Sequence, residues 1–91
     1  GFTQDMATLL ALLQQVEGVD PDTGDPILGI IQPGSDTDAN EGIFPDVAAM
    51  AAWNYRSAQQ DHSRGIHNPE YTKALLKNSI QAVEDLLQSQ D

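Results

Sequence analysis

Cysteine is absent from the 91-residue chain. That excludes a disulfide framework, a thiolate metal site, a cysteine nucleophile and covalent haem attachment through Cys-x-x-Cys-His within these residues. Cations are scarce as well: four Lys and Arg stand against fourteen Asp and Glu, a formal charge of −10. Such a chain repels phosphate backbones and anionic membranes and attracts basic proteins and divalent cations, so nucleic acid drops out as a partner. No apolar run approaches the ~20 residues of a bilayer span, and membrane insertion is not expected. Also missing are a Gly-x-Ser-x-Gly elbow, a phosphate-cradling glycine loop and a His-Glu-x-x-His pair, the commonest signatures of hydrolytic, nucleotide and zinc chemistry.

The length allows one small domain, residues 1–91, able to bury ~60% of its unfolded surface and only marginally stable alone. Gly1 in the place of a Met leads us to expect a fragment of a longer chain. Charge is unevenly placed. All four cations, Arg56, Arg64, Lys73 and Lys77, lie in the second half, while Asp5, Glu17, Asp20, Asp22, Asp25, Asp36, Asp38, Glu41 and Asp46 precede Asn54.

Met6, Leu9, Leu10, Leu13 and Val16 recur at spacings of three and four, with Leu12 widening the stripe. This is the apolar face of a first helix, with Thr3 as cap, Asp5 in the first turn and Gly18 as its terminator. From Gly18 to Pro45 come five of the seven glycines and four of the five prolines, so turns dominate a long acidic loop. Ile27-Leu28-Gly29-Ile30-Ile31 interrupts it. With no second strand in view, that stretch is expected to anchor the loop over the helices. A connection of this length is commonly functional or mobile.

A second helix is expected from Pro45, with Asp46 in its first turn and Val47, Met50, Ala51, Asn54 and Ala58 on its packed face. Trp53 and Tyr55 fall on another face and suggest contact beyond the first helix. That helix fades between Asp61 and Gly65. Asn68 and Pro69 then supply cap and first position of a third, whose stripe is Leu75, Leu76, Ile80, Val83, Leu86 and Leu87, with Lys73 to Lys77 on the solvated side. Glu84, Asp85 and Asp91 oppose its dipole, so its last turn is expected to fray. The expected fold is therefore all-α: a three-helix bundle-like domain with a long acidic Gly/Pro-rich loop between helices one and two.

Asp36, Asp38 and Asn40 stand at alternate positions, as oxygen ligands of a calcium loop do. The EF-hand pattern fails beyond them, since Glu41, Gly42 and Val47 occupy the sixth, seventh and twelfth places. Asp20-Pro21-Asp22-Thr23-Gly24-Asp25 is a looser version. Asp61, His62, Ser63, His67 and Ser57 supply the residue types of a hydrolytic triad, but so close in sequence they serve turn capping more often than catalysis. The chain itself is not expected to be an enzyme.

The junction of helices two and three carries the most particular sequence. Ala51-Ala52-Trp53-Asn54, Asp61-x-Ser63-x-Gly65-Ile66-His67-Asn68-Pro69-x-Tyr71, Leu75-Leu76 and Ser79-Ile80 resemble the C-terminal helical segment of multihaem c-type cytochromes. That group includes the ammonia-forming cytochrome c nitrite reductases. Gly1-Phe2-Thr3 before a Leu-rich helix is similar to the segment preceding this corner in them. Helices one and three and the corner are covered, the middle loop hardly at all. The resemblance implies a cysteine-free end of a periplasmic or extracellular redox protein, a parent that is itself an oxidoreductase candidate. It also implies a partner, either the haem-bearing remainder or a basic redox protein, and it leaves oligomerisation open. Under it, His67 is a candidate distal ligand to haem c held elsewhere, with Asp61 accepting from its other ring nitrogen. The structural alternative has His67 and Asp61 tying a corner fixed by Gly65, Asn68 and Pro69. A different function also fits the residues: a free-standing acidic interaction module, calcium-responsive through Asp36, Asp38 and Asn40.

Overall fold

A computed structural model describes residues 1–90. Three helices of 12, 18 and 22 residues, α1 (Phe2–Leu13), α2 (Asp46–Ser63) and α3 (Pro69–Gln90), make up most of the chain. Between α1 and α2 lies a small antiparallel sheet, β1 (Glu17–Val19) and β2 (Pro26–Leu28), in the register Glu17↔Leu28, Gly18↔Ile27, Val19↔Pro26. The architecture is thus mostly helical with a sheet, not purely helical.

The Leu-rich stripe of α1 packs as its spacing predicts. Met6, Leu9, Leu13 and Val16 are buried, with Leu10 and Leu12 partly so. From α3, Leu76 and Val83 enter the core, flanked by Ile80, Leu86 and Leu87. Each large aliphatic side chain removed from water in this way contributes about 1.5–3 kcal/mol. Residues rising along α2 meet residues falling along α3, Asn54 opposite Ser79 and Asp61 and His62 opposite Pro69 and Thr72, so these two helices run antiparallel. Asp5 meets Lys77 while Glu17, just past α1, meets Gln90, which sets α1 parallel to α3.

Several boundaries differ from the pattern of the sequence. Gly1, not Thr3, occupies the N-cap of α1, and no side chain caps it. The helix ends at Leu13, so Gly18 is not its terminator. Gly18 sits in β1, where a Cβ would lie 2.5 Å from Phe44 Cδ1 and 2.6 Å from Ile43 O. Close approach, not helix termination, requires glycine there. The segment Glu17-Gly18-Val19 is also the second strand that Ile27-Leu28 lacked on sequence grounds. Ile30 and Ile31 do anchor the loop, and both are buried in the core.

The packed face of α2 is rotated from the expected one. Ala48, Ala51, Ala52, Tyr55 and Ala58 are buried, while Val47 and Met50 face outward. Alanines let the neighbouring backbones approach closely, and the larger side chains are left on the open side. Tyr55 is core, and Trp53 is 71% exposed.

The acidic loop is stitched down along its length. Val19 and Ile43 exchange two backbone hydrogen bonds, both 2.9 Å, and Ile31 bridges to Ala39. Gln14 donates to the carbonyls of Gln32 and Ser35, and Asn40 to those of Leu28 and Gly29. At the far end of α3 the last turn persists through Gln90, whose amide clips both backbone groups of Glu17 at 2.9–3.0 Å. Asp91, one of the acids weighed against that turn, lies outside the described residues. Since α3 is 22 residues, roughly 33 Å, long, it separates the sheet from the α2–α3 corner.

Candidate functional site

The corner is closed by backbone hydrogen bonds that its sequence specifies. Ile66 N–H donates to Asp61 O at 2.9 Å and Gly65 N–H to His62 O at 3.1 Å, the paired pattern of a Schellman C-cap. Gly65 supplies the left-handed residue that this cap needs, with φ +73°. Three residues on, Asn68 Oδ1 accepts from Tyr71 N–H at 3.4 Å and Asn68 O from Thr72 N–H at 2.9 Å, and Pro69 takes the first helical position. Only Ile66 and His67 lie between Gly65 and Asn68.

Every residue from Asp61 to Glu70 is exposed. That includes large apolar groups, Ile66 at 54%, and Tyr71 just beyond at 63%. The rings of Phe2 and His62 stack, centroids 4.3 Å apart and 15° from parallel. His67 meets His62 edge-on, at 6.0 Å and 87°. Phe2, His62, Ile66, His67 and Leu76 line a cavity of about 290 Å³, with Asp5, Asp61 and Lys73 supplying charge at its wall. This volume is at the lower limit of small-molecule sites, enough to receive the edge of a flat apolar group but not to enclose one.

His67 and Asp61 thus share a cavity, but no hydrogen bond joins the carboxylate to the ring. Asp61 holds the corner through its backbone carbonyl. Ser57 and Ser63 make no hydrogen bond to either histidine or to Asp61, so the triad residue types are neighbours without a relay. Phe2 was not a candidate on sequence grounds. Its signal was its place four residues before Met6, which extends the apolar stripe of α1 into the first turn.

The acidic positions are engaged differently. Asn40 spends its amide on Leu28 O and Gly29 O, at 3.1 and 2.8 Å. Ser35 Oγ accepts from the N–H groups of Thr37 and Asp38, turning the chain at Asp36. Asp20 Oδ1 accepts from Asp22 and Thr23 N–H, which makes Asp20 to Asp25 the connection of the β1–β2 hairpin. Among the described residues no group of three or more His, Cys, Asp or Glu side chains is placed to hold a metal ion. None of the helices is long and apolar enough to cross a membrane.

Away from the corner, two polar contacts are partly buried between helices. Asn54 Nδ2 donates to Ser79 Oγ at 3.0 Å, and that hydroxyl donates to Leu75 O at 2.8 Å. Lys77 Nζ donates to Asp5 Oδ1 at 3.0 Å, the carboxylate buried and the ammonium half in solvent.

No family model, curated protein or solved structure matches the chain.

Proposed function

We propose that the chain is a helical docking domain of a multihaem c-type cytochrome, supporting electron transfer without holding haem covalently and without catalysing a reaction itself. The observation that carries this is the exposed end of the bundle. Two histidines and Ile66 stand exposed around one shallow apolar cavity there, and the half-buried ring of Phe2 borders it. Such an end favours the edge of a flat, apolar, metal-bearing ring presented by another part of the parent protein. A haem supplies electron transfer when bound; this chain's contribution is to shield one side of it from water and to offer an imidazole. His67 is the candidate ligand because Phe2 already stacks on His62, whereas His67 has only an edge contact. Asp61 lies close enough to share the cavity and becomes the acceptor for the second ring nitrogen once the ring turns toward it. The site of action under this proposal is periplasmic or extracellular.

A haem c peptide with one open axial position tests the proposal. Added to the wild-type domain it should give the Soret shift of histidine ligation. His67→Ala should abolish the shift and His62→Ala should keep it. Identical spectra for wild type and His67→Ala would remove His67 as a ligand, and a parent reading frame without Cys-x-x-Cys-His motifs would remove the cytochrome altogether.

A further inference from the structure

We propose that the outward ridge of α2 around Met50 and Trp53 docks a basic protein surface built about an apolar anchor. The ridge lies opposite the alanine face by which α2 enters the core. Asp46, Ala49, Met50 and Trp53 stand at i, i+3, i+4 and i+7, one face of the helix, and all are exposed. Met50 and Trp53 are 65% and 71% exposed, although the chain has one Trp and two Met in all. Grooves border the ridge on both sides. Val47 and Met50 line one against Ser79 and Ala82 of α3; Trp53 lines the other with Ile43, itself 60% exposed, from the loop. A continuous apolar ridge between two grooves exceeds the scattered exposed side chains of an ordinary surface.

Charge decides the occupant. Asp46 stands at the head of the ridge and lines the groove with Met50. Glu41 falls between Asn40 and Gly42, which both line the groove with Trp53. The one cation on this side, Arg56, reaches across to Thr37 O at 3.2 Å. Elsewhere, Lys77 is held by Asp5, Lys73 lines the corner cavity and Arg64 caps the end of α2. A second copy of the chain brings the same acidic rim and a formal charge of −10 to meet another −10. Nucleic acid and anionic lipid are repelled for the same reason. A Lys- or Arg-rimmed protein surface satisfies the acids, places an apolar side chain in either groove and sets a cation over the Trp53 indole. His62 lies nine residues beyond Trp53, roughly 13 Å along the axis, so this face stands independently of the haem proposal.

Trp53 is its own reporter. With an amphipathic Leu/Lys helical peptide as probe, the Trp53 emission should move to the blue, an effect that weakens as salt is raised. The matching Leu/Glu peptide should leave it unchanged. Backbone NMR shifts should centre on Ile43, Val47, Met50 and Trp53. By calorimetry, Trp53→Ala should weaken binding about thirtyfold, the loss of an interface hot spot. Glu41→Gln with Asp46→Asn should weaken it about threefold, mostly by slowing association. Both variants should keep the wild-type far-UV circular dichroism, since none of the three side chains is buried. The proposal is overturned by failure of the Leu/Lys peptide to bind, equal binding of the Leu/Glu peptide, NMR shifts centred on 61–71, unchanged affinity of Trp53→Ala, or self-association that buries Trp53 without peptide.

Discussion

Phe2 and His62, sixty residues apart in sequence, stack at 4.3 Å and thereby fasten the first turn of α1 to the last turn of α2. The stack orders one wall of the cavity. Phe2→Ala should remove it and cost about 1–2 kcal/mol in urea unfolding, an aromatic pair plus partial burial. The His62 Hε1 NMR signal should lose its ring-current displacement in the same variant. Unchanged stability together with an unchanged His62 signal would mean that the stack does not persist in solution.

Gly65 offers a cleaner test of the corner. Its φ of +73° is strained for any residue with a Cβ, but a Cβ built there meets nothing within 4 Å. Gly65→Ala should therefore lower stability by about 1–2 kcal/mol through backbone strain alone. Gly65→Asn should lose less, because Asn visits the left-handed region more readily. Equal stability of Gly65→Ala and wild type, by thermal or urea unfolding, would contradict the Schellman geometry.

What the sequence revealed and what it hid divide along physical lines. The corner was legible because Gly65, Asn68 and Pro69 act through their own backbone, so their types declare their roles locally. Both Leu-rich stripes were legible because one periodicity of large apolar residues dominates each. In α2 the periodicity is ambiguous: nearly every position from Val47 to Trp53 is apolar, and choosing a face requires knowing how closely the neighbours approach. The hairpin was missed because its strands are three residues each and Gly18 resembles a helix stop. Its true reason, the Phe44 ring against it, is a contact across 26 residues that no local pattern reports.

Asp5 and Lys77 provide the third test. The carboxylate is buried and accepts from an ammonium that remains half exposed, so partial burial strengthens the attraction, while desolvating Asp5 and ordering the Lys77 side chain both oppose it. Lys77→Met strands the buried carboxylate and should cost about 1–2 kcal/mol. Asp5→Asn combined with Lys77→Met should cost less than the sum of the two single changes. Strict additivity in that double-mutant cycle would mean that the 3.0 Å contact contributes no coupling.

Alkaline stability should be set in part by Tyr55. Burial raises its phenol above the ordinary value of 10.0, and the negative charge of Asp36 raises it further. Folding thus favours the neutral phenol over the phenolate. A group whose pKa is higher folded than unfolded contributes its full stabilisation below the unfolded value, and loses it as pH climbs through the folded one. Wild-type melting temperature should accordingly fall as pH rises above about 10. Tyr55→Phe has no proton to lose there, so its melting temperature should decline less steeply over the same range, whatever its value at neutral pH. Asp36→Asn should retain most of the wild-type decline, because burial is the larger cause. Should Tyr55→Phe and wild type lose stability in parallel above pH 10, the alkaline transition belongs to other groups, and the phenol is not held neutral by the core.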